Sequence, residues 1–143
     1  MAVTITLYNH TAKLFANSEV TLSTLKLILL NDDAAALFDA TDTDMSGLTG
    51  AEVSGNGWAA GGELLASVAV TTVTSNDAKL DAADISKTAT GGAIGPAEAA
   101  VLWDDTGDQP LAFIDFGAAK TADLGTPFNV NWNASGIITW SYA

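Results

Sequence analysis

The sequence has no cysteine and no arginine, and in 143 residues it has only one histidine, three prolines and five lysines. Without cysteine there are no disulfides, no thiolate nucleophile and no zinc site built on sulfur, so stability has to come from packing, hydrogen bonds or assembly. Five lysines against 13 aspartates and four glutamates give a net charge of −12. Phosphate contacts are made chiefly by clustered Lys and Arg, and no cluster exists here, so neither nucleic acid nor an anionic membrane surface is expected as a partner. Long apolar runs are missing too. Leu27–Leu30 and Ala99–Trp103 are the longest, far short of the ~20 residues that span a bilayer, and no basic segment followed by an apolar stretch marks the N-terminus as a secretory signal.

What is present is 48% hydrophobic residues in a length that suits one domain. The reading is a single β-rich domain over residues 1–143. Wherever a period is visible it is two residues, the signature of strands. Val3, Ile5 and Leu7 share one face and Thr4 and Thr6 the other. A strand from about Thr21 to Leu30 alternates Leu25, Leu27 and Leu29 with Lys26 and Ile28, and its apolar end predicts burial on both faces. Leu64–Thr74 is a third run and Lys79–Ile85 a weaker one. Ala99–Trp103 leads through the polar turn of residues 104–108 into Leu111–Phe116, which reads as a hairpin. Phe128, Val130 and Trp132 alternate with Asn129, Asn131 and Asn133, and a last strand runs from Ile137 to Tyr142. The expectation is an all-β fold, a β-sandwich or jelly-roll-like antiparallel arrangement of about eight short strands, with at most one short helix, at Asp33–Asp39. Residues 39–62, poor in large apolar side chains, read as a long surface loop, and Thr88–Pro96 as a loose connection.

Few constellations suggest chemistry. Asp42, Asp44, Ser46 and Gly47 follow a calcium-loop spacing, but Glu52 falls at position 11 instead of 12 and no helix follows, so Asp39–Glu52 reads as a solvated acidic loop. His10 has no nucleophile or second acid in a recognisable pattern, and no nucleophile elbow or phosphate loop is present, so no enzymatic activity, cofactor or metal is expected. Asp104-Asp105 sits in a turn, where aspartate is common. Residues 55–62, Gly-Asn-Gly-Trp-Ala-Ala-Gly-Gly, are the most unusual string. With four glycines around it, Trp58 is either the centre of a contact loop or the pin of a tight turn. The four tryptophans could also form a sugar-binding platform, although Trp132 shares the apolar face of its strand.

The order of these motifs resembles that of a group of small virion proteins of tailed bacteriophages, encoded among head and tail genes. The resemblance is carried by Tyr8-Asn9, the Leu-Lys-Leu-Ile-Leu-Leu strand of residues 25–30, Glu52-Val53, the Gly57–Gly62 string, Trp103-Asp104-Asp105, Pro110–Gly117 and Phe128–Ile138. It spans nearly the whole chain through short motifs. It departs where Trp58 stands for the usual tyrosine, and where an arginine common before the Trp103 strand is missing. The resemblance implies a capsid decoration or cement protein on the outer capsid surface of the virion, made in the host bacterial cytoplasm, with a tail or connector part as the alternative. Its implied partners are the major capsid protein and copies of itself, as a trimer by preference or a dimer. Candidate contact residues are the N-terminal arm of residues 1–6, with Met1, Ala2, Val3 and Thr4 foremost, and Trp58 in the 39–62 loop.

Overall fold

The computed structural model describes residues 3–73 and 77–141. Met1 and Ala2 of the expected arm, Thr74 of the third run and Tyr142 of the last strand lie outside them. The described residues form an all-β fold whose strands pair antiparallel throughout. Eleven strands are present instead of about eight. They are β1 (Thr4–Leu7), β2 (Leu25–Leu30), β3 (Glu52–Val53), β4 (Glu63–Leu64), β5 (Ala69–Thr72), β6 (Asp77–Asp81), β7 (Ile85–Thr88), β8 (Ile94–Asp104), β9 (Gln109–Ala122), β10 (Pro127–Val130) and β11 (Ile138–Ser141). Two short α-helices occur instead of at most one. Of these, α1 (Thr11–Ala16) was not anticipated, while α2 (Ala34–Leu37) falls inside the expected Asp33–Asp39.

Six strands make the main sheet, in the order β1-β9-β8-β2-β3, with β4 also pairing with β2. Its centre is β2, β8 and β9, held in one register: Leu27 lies opposite Leu102, and Leu102 opposite Ala112. Leu25, Leu27, Leu29, Ala100, Leu102, Ala112 and Ile114 project to one face. There they meet Leu80 of β6, Ile85 of β7, Phe128 of β10 and Ile138 of β11, so two small sheets, β10-β7 and β11-β6-β5, cover that face as the second layer of a sandwich.

Ile28, Leu30, Ala99, Val101 and Phe113 project to the opposite face, where they pack with Tyr8, Ala34, Met45, Leu48 and Ala51. Because both faces are covered, β2 is apolar at every position but Lys26, as expected for a strand with no solvent side. The 39–62 segment is therefore more than the surface loop expected from its composition. It travels over the surface but plants Met45, Leu48 and Ala51 on the sheet, then ends in a turn at Gly55–Trp58 closed by main-chain bonds in both directions. Gly62 completes the return with φ +93°, where a Cβ would lie 2.7 Å from the Leu27 carbonyl oxygen; only glycine lets the chain pass so close to β2.

Other boundaries moved for local reasons. The Thr21–Leu30 strand begins at Leu25, since Leu22–Thr24 form a 3-10 turn. The Leu64–Thr74 alternation splits into β4 and β5, with Leu65 turning into the core between them. The Lys79–Ile85 run also divides, into β6 and β7. The hairpin is longer than expected, since β8 begins at Ile94 inside the supposedly loose Thr88–Pro96 and β9 reaches Ala122, with register shifts that absorb Gly95-Pro96.

A candidate interaction surface at the β1 edge

β1 is an end strand of the main sheet and, among the described residues, pairs only with β9, Thr4 opposite Asp115 and Leu7 opposite Ala112. Its alternation places Val3, Ile5 and Leu7 on the sandwich face, as the sequence predicts, but they stay open there: they are 56%, 43% and 38% exposed. Among the described residues no charge, proline or bulge protects this edge, although natural sheets commonly guard exposed edges with one of these devices.

Beside β1 the two layers of the sandwich part to leave a groove of about 720 Å³. Val3 and Ile5 form one wall, Phe116 and Ile114 of β9 the floor, and Phe128, Val130 and Trp132 the far wall. Asn129, Asn131 and Asn133 also border it, and among the described residues Lys120 is the only charged one in the lining. In a chain with 17 acidic residues, no carboxylate is among the described residues that line it. The Trp132 indole N–H donates to the Ala83 carbonyl oxygen at 3.2 Å and its main-chain N–H to Asp84 Oδ1 at 2.8 Å, so the ring is held in place at the groove wall. Sequence reasoning put Trp132 in the core with Phe128 and Val130. The ring does pack on the core, but one side of it faces the groove. The alternation of residues 128–133 reads as one strand, but β10 ends at Val130 and Trp132 lies just beyond it.

The other sequence-derived candidates are scattered. Trp58 is 2% exposed and packs edge-on against Phe128 at 5.5 Å, so it pins the turn and offers a partner no surface. Its indole N–H is buried and has no acceptor. Trp103 lies on the opposite face of the sheet, its N–H donating to Asp108, and Trp140 packs on Phe15. The four tryptophans thus make no common platform. His10 precedes α1, with Nε2 2.6 Å from the Pro110 carbonyl oxygen, a contact that ties the helix to β9.

In the acidic loop the carboxylates turn to their own backbone. Asp39 accepts from the Thr41 N–H and then from its hydroxyl, and both bonds hold its carboxyl below the ordinary range. Asp44 is lowered by Ser46, first through its side chain and then through its N–H, and Glu52 accepts from the Gly61 N–H. Among the described residues no three His, Asp or Glu side chains are grouped to hold a metal ion. Asp104, which reads as an ordinary turn residue, is instead fully buried and accepts from the Thr21 N–H, the Thr24 hydroxyl and the Thr106 N–H.

No protein-family model, no curated protein and no solved structure matches this chain.

Proposed function

We propose that the chain is a structural protein of a tailed-bacteriophage virion, a decoration or cement protein on the outer capsid surface that bridges neighbouring major capsid subunits. The observation that carries this reading is the pairing of an unguarded apolar strand edge with a carboxylate-free groove, in a chain that is otherwise strongly acidic. Surfaces of this kind serve contact with another protein, whereas the acidic remainder suits a solvated exterior and would be repelled by packaged DNA. The motif resemblance supplies the capsid as partner. The mechanism is added apolar contact at subunit boundaries, with the groove of Phe116, Phe128 and Trp132 as the capsid-facing surface, and it needs no catalytic step.

Co-sedimentation with purified shells, followed by counting copies per particle, tests the proposal. The expected result is saturable binding at many copies per shell, reduced by Trp132→Ala. Absence from shells, or a few copies confined to the tail or connector, would overturn it. Trp132 together with Asn129, Asn131 and Asn133 in one groove favours a second reading, glycan binding in host attachment, since an aromatic face beside amides suits a sugar ring and its hydroxyls. Retention on a glycan array, lost in Trp132→Ala, distinguishes that reading from the first.

A further inference from the structure

We propose that the free edge of β1 is closed by β1 of a second copy, in an antiparallel pair centred on Ile5 and related by a two-fold axis perpendicular to the sheet. The ladder with β9 decides which backbone groups of β1 face outward. The Tyr8 N–H donates to the Leu111 carbonyl oxygen at 3.2 Å, continuing the register in which Leu7 lies opposite Ala112. In an antiparallel ladder the hydrogen-bonded positions alternate. Thr4 and Thr6 therefore direct their N–H and C=O groups at β9, as Tyr8 does its N–H, and Val3, Ile5 and Leu7 direct theirs away from it.

A partner strand must present an equally free row, and side chains from the same face must lie opposite one another. A second β1 satisfies both conditions when Ile5 faces Ile5, Val3 faces Leu7 and Thr4 faces Thr6 of the second copy. All three outward positions are then used, each facing pair exchanging two N–H···O bonds. The sequence reads alike in both directions from Ile5, as apolar, Thr, apolar, Thr, apolar. The cross-strand contacts are aliphatic on one face and threonine–threonine on the other, both favourable classes.

Charge points to the same occupant. Two chains of −12 can approach only where acid is scarce, and β1 carries no charge. The nearest acid on the neighbouring strand is Asp115, opposite Thr4. With strands ~4.8 Å apart, the two copies of Asp115 stand roughly 15 Å from each other across the axis, beyond the ~8–10 Å over which exposed charges interact in physiological salt. The trimer implied by the motif resemblance is not the product of this edge, because a pair of like edges closes on itself.

The dimer does not rest on the virion reading, and its test uses the isolated protein, so either can fail alone. If both hold, the perpendicular two-fold keeps the two sandwich faces on the same side of the joined sheet and gives a bridging protein two equivalent grooves.

Sedimentation equilibrium across a wide concentration range, combined with residue-resolved amide exchange, is the decisive experiment. The expected result is a monomer–dimer equilibrium in which the Val3, Ile5 and Leu7 amides gain protection with concentration while those of Thr4 and Thr6 are protected throughout. Ile5→Lys sets two like charges face to face and should weaken the dimer at least tenfold. Ile5→Pro removes only an outward N–H, so the β9 ladder and the monomer's circular dichroism should persist while the dimer is lost. A monomer at every concentration, a trimer, or a dimer indifferent to both substitutions would overturn the proposal.

Discussion

Replacing Asp104 with alanine tests whether this buried carboxylate holds two parts of the molecule together. Asp104 ends β8 opposite Gln109 and Leu25, and its oxygens accept from the Thr21 N–H at 2.9 Å, the Thr24 hydroxyl at 2.9 Å and the Thr106 N–H at 3.2 Å. It thereby fastens the 3-10 turn leading into β2 onto the hairpin loop. Hydrogen bonds to a charged group contribute about 1.5–3 kcal/mol each, but the three losses are unequal. The Thr24 hydroxyl keeps Thr106 Oγ1 at 2.7 Å and the Thr21 carbonyl oxygen, and the exposed Thr106 N–H can turn to water. The half-buried Thr21 N–H has neither recourse. One stranded donor, two partly replaced bonds and a small cavity together predict a loss of about 3 kcal/mol, or roughly 10 °C in melting temperature at this chain length. Asp104→Asn keeps an acceptor oxygen and should lose about half as much. Urea unfolding followed by circular dichroism measures both variants; an unchanged m-value would place the effect in the folded state. A loss under ~0.5 kcal/mol for the alanine variant, no more than a neutral surface change, would show that Asp104 does not hold the turn to the loop.

Two further outcomes follow from buried aromatic residues. Trp58→Ala should cost about 3–5 kcal/mol in urea unfolding, while Trp58→Phe should cost well under half of that, because the indole N–H it removes has no acceptor to lose. The Tyr8 phenol is raised well above its ordinary 10.0, first by burial and then by the nearby Asp42 carboxylate. Above pH 10 the unfolded chain therefore releases this proton while the folded one retains it, so stability should fall as pH rises past that value. Alkaline unfolding curves of the wild type and Tyr8→Phe measure this; the variant should lose the phenol-linked part of the decline, and parallel curves would show that Tyr8 does not contribute.

The parts of the fold that local pattern predicts are those whose environment is uniform. β2 was legible because an apolar run of strand length implies two covered faces, and the β8–β9 hairpin because its turn chemistry is concentrated in residues 104–108. Alternation does not say where a strand stops pairing, so Leu64–Thr74 reads as one strand although Leu64 pairs with Lys26 and Ala69 with Asp81. Nor does composition show anchoring: Met45, Leu48 and Ala51 are three apolar residues in polar surroundings, yet each finds the sheet. α1 has six residues, too few for a periodic signal, and is fixed instead by long-range bonds such as that from the Thr11 hydroxyl to the Leu111 carbonyl oxygen. β1 was legible as a strand from its alternation of Val3, Ile5 and Leu7 with Thr4 and Thr6. The groove beside it was not, because its walls come from strands far apart in sequence.

The place of β1 beside β9 also bears on how the chain is made. Thr4 pairs with Asp115, so during synthesis the first strand must wait for more than a hundred further residues before its only neighbour emerges. At ~5–20 residues per second this leaves an apolar strand unpaired for on the order of ten seconds, while β2 and α2 are already outside the ribosome. On polysomes carrying many nascent chains, the same strand is exposed on every one. The interval before the main sheet closes is therefore the one in which this strand is most open to pairing with other chains.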